Sequence, residues 1–330
     1  MVTCKEDPGD DRNIKKEAQT EQIKAIGITA FILSLPTFIP GLGLLNCIIP
    51  LPIYYYLVVF GKNNGTTVVT WAVGIVGLLA VFTGALNGIL FTLTLVPLGF
   101  MLAKAKEQNE PILTAGTKGA LIIAVAWFGL ALAYGSISRS NPYQDILLNL
   151  DKGFETSFTL YENSGKIQAD DLKTIKIFFD QLQDLTKRLF PALLVTLIFS
   201  IVWLNITFGH WLLHKKDPAL SHQHDLQNWR LPEMLVWLVI LAGIAVIIPD
   251  PGFSTFGMNL GLVLGFLYFA QGLAILSSML TTWAVPPLLK VLIYSLLFLQ
   301  SYGMALLAAL GLTDVWIDLR KRLHEKDAAG

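Results

Sequence analysis

The 330 residues carry 24 basic and 24 acidic side chains, no net charge, 54% hydrophobic residues and only 15% charged ones. Mean hydropathy is +0.58, and about 200 residues lie in seven windows without one Asp, Glu, Lys or Arg: 25–61, 63–103, 119–138, 189–214, 234–249, 251–289 and 291–313. A soluble globular chain is about a quarter charged, so a soluble enzyme, a disordered chain and a disulfide-stapled secreted domain are all excluded. Balanced charge also gives no field that would recruit nucleic acid.

In chain order, residues 1–24 read as a polar, mixed-charge cytoplasmic tail without the apolar core of a cleavable signal. Residues 25–138 then hold five membrane segments. A span needs about 20 apolar residues, so the 25–61 window is too long for one helix. Pro36, Pro40, Gly41 and Gly43 divide it into about 25–38 and 44–60. Thr83-Gly84 splits the next window into about 66–82 and 85–103, and a fifth segment covers about 117–137.

Residues 139–188 form the one sizeable part outside the membrane. Leu147, Leu150, Phe154, Phe158 and Tyr161 recur at helical spacing, as do Leu172, Ile175, Phe179, Leu182, Leu185 and Leu189. With the turn chemistry of Glu162-Asn-Ser-Gly-Lys166 between them, they predict an extracytoplasmic amphipathic helical hairpin lying on the outer membrane face. It would cover helix ends or act as a lid.

The C-terminal membrane segments fill 189–312, at about 189–213, 232–249, 254–280 and 287–311, and 313–330 is a basic tail. The fold class is all-α, a polytopic helical membrane protein. Lysines at 62, 104, 106, 118, 215 and 216 fall in alternate short loops and put the N-terminus inside. Nine candidate segments would leave Arg320, Lys321 and Arg322 outside, against the same rule. Eight crossings with both ends cytoplasmic is therefore the expectation, with nine as the alternative.

No Asp, Glu, Lys or Arg lies deep in a span, whereas ion-driven pumps and voltage sensors place such residues there. Metalloprotease, P-loop and serine-elbow motifs are absent too. The expectation is no enzyme and no cofactor. The polar residues at depth are neutral: Asn46, Asn87, Asn205, Asn259, Gln271 and Gln300. Hydrocarbon cannot satisfy an amide, so each either joins two helices or lines a cavity. Asn46, Asn87, Trp127, Asn205, Asn259 and Gln271 are the candidates for a small-solute pocket.

Gly257, Gly261 and Gly265, with Gly84 and Gly88, form small-xxx-small stripes that predict close helix packing. His210 and His214, one turn apart, with His222 and His224, are a weak candidate for a divalent metal, since their spacing matches no strong signature. Trp229 and Arg230 sit at an expected helix start, with Pro232 in its first turn, and are candidates for lipid or partner contact. Gly311 is expected to end a helix, and Thr313 or Asp314 to cap a short new one carrying Asp318, Arg320 and Arg322 toward lipid or a partner protein.

Four stretches together resemble one family: Pro50-Leu-Pro-Ile with Gly61-Lys-Asn-Asn-Gly65; Asn228-Trp-Arg-Leu-Pro232; Asn259 through Gln271-Gly272; and Gly311-Leu-Thr-Asp314 through Arg320-Lys-Arg322. The resemblance is to the YybS-like bacterial membrane proteins, a family without an established function, and it covers about 25–323. That family is in turn distantly similar to the substrate-binding S components of energy-coupling-factor transporters and to MreD, over about 25–214. The first similarity implies solute binding near the outer face with a separate ATPase supplying energy. The second implies structural or assembly work in the cell envelope. Two features depart from the S-component pattern: Ala25, Gly27 and Ala30 stand in place of a regular alanine docking face, and further spans follow. The first expectation is a solute-binding or transport-related subunit of the bacterial inner membrane; the alternative is a structural protein. The two differ in whether the amides converge on a cavity or pair helix to helix.

Overall fold

The structure is a computed structural model and describes residues 8–163, 169–220, 229–300 and 302–317. Every regular element among them is helical, which agrees with the expected class. The contacts divide the chain into two compact units, one within 1–130 and 199–223, the other within 131–198 and 224–330.

In the first unit, helix α1 (Pro8–Phe38) is longer than the 25–38 segment and begins in the polar tail. Ala25, Thr29, Leu33 and Thr37 recur every fourth residue and are all buried. They make the stripe by which α1 meets the elements that follow. A 3-10 segment, Pro40–Ile48, leads into α2 (Pro50–Thr83). Gly61 in α2 takes φ +76°, a left-handed value open to glycine. A Cβ on Gly65 would lie 2.7 Å from Leu57 Cα, although eight residues of straight helix span about 12 Å. The chain therefore doubles back at Gly61, and residues on either side of it are separate arms.

Gly84 ends α2 with φ +73°, and Ala85 N–H closes the turn on Ala80 O at 2.9 Å. The 85–103 segment is α3 (Leu86–Leu93) and α4 (Val96–Glu107), broken at Thr94-Leu95. Gly99 lets α4 approach Ile53 and Pro50 at the start of α2. Helix α5 (Ile112–Ser138) follows.

In the second unit, α6 (Pro142–Asn163) lies beside the first part of α7 (Ala169–Lys216). Phe154, Phe158 and Tyr161 all meet the Phe179 ring edge to face, with centroids 5.7 to 6.3 Å apart. The expected boundary at 188/189 does not exist as a break: α7 runs through it as one helix of 48 residues containing Pro191. Its first arm continues into the apolar segment without a break.

Helix α8 (Leu235–Ile247) has only 13 residues. It starts later than Pro232, after a turn in which Leu235 N–H bonds Pro232 O. Asp250 caps α9 (Pro251–Thr282), accepting from the Gly252 and Phe253 amides. The expected straight 287–311 segment is instead α10 (Pro287–Leu299) and α11 (Gly303–Ile317), bent by 106°. Gly311 does not end a helix. It sits inside α11 because Gly311 and Gly272 bring α11 and α9 into backbone contact: a Cβ on either would strike Tyr268 O or Leu307 O.

By length and composition, five helices among the described residues meet the requirement for crossing a membrane, and six if α10 and α11 together make one. The expected eight exceeds this because α8 is short and α10–α11 is bent; 44–60 and 66–82 share one long helical run, and the reversal at Gly61 separates them into two arms, as expected.

Candidate functional site

Four of the candidate amides, Asn46, Asn205, Asn259 and Gln271, bond backbone groups of their own unit. In the first unit, Asn46 closes the 3-10 segment by donating from Nδ2 to Gly43 O at 2.9 Å. Its Oδ1 accepts from Thr92 Oγ1 at 3.2 Å, and Thr92 lies 3.3 Å from Thr37 Oγ1. Trp127 Nε1 donates to Thr94 Oγ1 at 3.1 Å, at the α3–α4 break, and its ring stacks on Phe91 at 5.6 Å. Asn205 on α7 is 2% exposed. Its Nδ2 donates to Cys47 O and Ile201 O, both at 2.7 Å, while Oδ1 is buried without a partner. Asn87 is exposed on α3.

In the second unit, Asn259 bridges α9 to α7. Its Oδ1 accepts from Ala192 N–H at 3.0 Å, and its Nδ2 donates to Arg188 O at 2.9 Å and Thr255 O at 2.8 Å. Gln271, 1% exposed, accepts from Leu231 N–H at 3.0 Å and donates to Gly311 O at 3.1 Å. It ties the segment before α8 and the middle of α11 to α9. Irregular backbone at membrane depth must find its hydrogen bonds inside the protein, and these amides supply them.

A cavity does exist in the second unit, but it is a different one. A groove of about 360 Å³ lies among Ala242 and Gly243 of α8, Gly261 and Gly265 of α9, and Ala308 and Leu312 of α11. It is more than twice the roughly 150 Å³ that holds a benzene in a protein core. None of the candidate amides lines it. Tyr268 stands in its wall with a buried hydroxyl that has no partner.

The glycine stripe is divided by this groove. At Gly257 a Cβ would lie 2.7 Å from Ala242 O, so α8 crosses there; at Gly261 and Gly265 a Cβ would meet nothing within 4 Å. Gly84 is a helix terminator open on all sides, whereas Gly88 packs on Thr37 O. The Gly272–Gly311 contact was not foreseen as packing. Tyr268 to Gln271 around Gly272 are all buried, and such a buried block beside a lone Gly is the signal that could have revealed it.

His210 is 9% exposed, with Nδ1 2.8 Å from its own helix's Ile206 O. His222 and His224 lie outside the described residues, and among those described no three metal-binding side chains come together. Asp314 is 2% exposed inside α11, so it neither caps a new helix nor presents itself to lipid or a partner. Arg230 is exposed and Trp229 half-buried. Asp318, Arg320 and Arg322 lie outside the described residues.

Sequence reasoning missed the polar clamp at the base of the α6–α7 pair. Asp151 accepts from Gln183 Nε2 at 2.5 Å and pairs with Lys187 Nζ at 2.6 Å. The hydrogen bond from Lys187, and then that from Gln183, holds the Asp151 carboxyl below its ordinary value.

Over residues 27–315 the chain matches the family described as predicted membrane protein (DUF2232). It is similar to the uncharacterized protein YybS of Bacillus subtilis (strain 168), at 23% identity over 305 residues covering 90% of this chain and 96% of the relative. No solved structure matches.

Proposed function

As the chain belongs to the DUF2232 family of predicted membrane proteins, we propose that it is a non-catalytic structural or assembly component of the bacterial cytoplasmic membrane, with its N-terminal tail inside. One observation carries this reading: Asn46, Asn205, Asn259 and Gln271 all bond the chain's own backbone. Side chains used in this way join elements and leave few polar groups to recognise a solute. In this reading the α6–α7 pair, which has exposed Ile146, Leu160, Phe178 and Leu185, is the part offered to partner proteins. Kinship with S components or MreD is not needed for it.

A solute-binding role has one observation in its favour, the buried and unpartnered Asn205 Oδ1, which could accept a hydrogen bond from a small polar molecule. Thermal melts of the purified protein against vitamins, nucleobases and amino acids separate the two. A ligand at 100 times its Kd stabilises by about 2.7 kcal/mol. The structural reading expects no polar solute to raise Tm. A shift that is present in the wild type and lost in Asn205→Leu would replace it with the solute-binding reading.

A further inference from the structure

Asn259 does more than join α9 to α7, because of where on α7 it binds. Pro191 lies inside that helix and has no N–H to give to Lys187 O, and its ring crowds that carbonyl. The next pair in the ladder is Ala192 N–H and Arg188 O, which a regular turn bonds to each other. Asn259 bonds both of these groups, Oδ1 on Ala192 N–H at 3.0 Å and Nδ2 on Arg188 O at 2.9 Å. One amide from α9 therefore grips the turn beside the bond that Pro191 removes.

The N-terminal side of that point is fastened to α6 at several places. Asp151 is paired with Lys187, and Tyr143 meets the Phe190 ring at 5.7 Å. The pair is thus a unit up to residue 190, and the joint comes immediately after it. The other attachment of α6 is a short link, 139–141, in which Arg139 takes φ +54°. Neither end of the pair is an uninterrupted ladder of backbone hydrogen bonds.

We infer that Pro191 and Asn259 form a latched hinge, on which the α6–α7 pair pivots as an arm, and that Asn259 holds the arm in the observed orientation to α9. Proline is a recognised cause of helix kinks, and the turn it weakens is the one that Asn259 bonds. The inference goes beyond the proposed structural role and holds equally for a solute-binding protein.

Paired spin labels at Phe178 on the arm and Phe253 on α9, both exposed, test it in the full chain in nanodiscs. Phe178 is about 20 Å from Pro191 along the helix, so a change in bend of about 20° moves the label by about 7 Å. The wild type should give one narrow distance. Asn259→Leu should broaden it or add a second population, and Pro191→Ala in that background should narrow it again by restoring the missing N–H. If Asn259→Leu is folded and keeps the wild-type distribution, Asn259 is no latch and the inference fails. If it does not fold, Asn259→Asp is measured instead. That variant keeps the acceptor for Ala192 N–H and loses the donor to Arg188 O, and the same two outcomes decide.

Discussion

Two helix pairs in the second unit are joined in opposite ways. Helices α9 and α11 meet backbone to backbone through Gly272 and Gly311, with Gln271, Tyr268 and Asp314 buried around the contact. Helices α6 and α7 meet through ring edges and a charged clamp, and α6 has no buried residue at all. The first contact excludes everything larger than a hydrogen atom, while the second leaves its members half in the surroundings. Stability should therefore concentrate at α9–α11, and the α6–α7 pair should open first, since weakly buried elements open at low free energy.

The sharpest way to break this comparison is to place one methyl group on each kind of glycine. Gly272→Ala drives a Cβ into Leu307 O, and a backbone neighbour cannot rotate away. The expected loss is about 3 kcal/mol, the upper part of the usual overpacking range, read as a large fall in melting temperature or as failure to accumulate. Gly261→Ala, eleven residues earlier on the same helix, meets nothing within 4 Å. It should change stability by less than about 1 kcal/mol, on the favourable side because alanine is the better helix former. Equal effects at the two positions would mean that the groove is filled by another part of the protein.

Gln271→Leu sharpens the same contact from the polar side. It keeps most of the volume but leaves the buried Leu231 N–H without its acceptor and removes one donor from Gly311 O. An orphaned buried group costs about 1–3 kcal/mol, and a loss in that range is expected from denaturant titration in detergent. Gln271→Glu should recover part of this loss, because a carboxyl oxygen can still accept from Leu231 N–H.

The helical class and most interruptions were legible because they depend on local chemistry. Charge-free windows give apolar helices, and Gly84 ends α2 where it was expected to. The pairing of elements was not legible, because it depends on distant residues. Gly261 and Gly265 have the spacing of a packing stripe, yet no helix fills the space beside them. Gly311 has the look of a helix end, yet α11 continues through it because Tyr268 and Gly272 of α9 require a residue without a side chain there. Amides at depth were correctly singled out as needing partners, but the partners are backbone groups beside Pro191, in the 3-10 segment and before α8. No spacing rule reports that, since the acceptor Cys47 O and the donor Ala192 N–H are backbone groups, which every residue carries.

The smallest expected effect lies at the loose pair. Asp151 is held below its ordinary carboxyl value by Lys187 and Gln183, and a depressed value fixes the sign. The charged form is favoured in the folded pair, so its contribution is fully present above the unfolded value of about 4 and disappears as pH falls through the lower folded value. Acid alone should therefore loosen α6 from α7 only below about pH 4, and neutral or alkaline pH should leave this clamp unchanged. Because Lys187 and Asp151 remain partly exposed, the contribution is small, as for other ion pairs in contact with water. Spin labels at Ser157 and Phe178 should show a modest broadening in acid for the wild type. Asp151→Asn should show that broadening already at pH 7 and no further acid dependence from this pair. A wild-type distance that is unchanged down to pH 3, in a protein that is still folded, would place the cohesion of α6 and α7 in the Phe154, Phe158 and Tyr161 contacts with Phe179, and the clamp would then set only the register of the two helices.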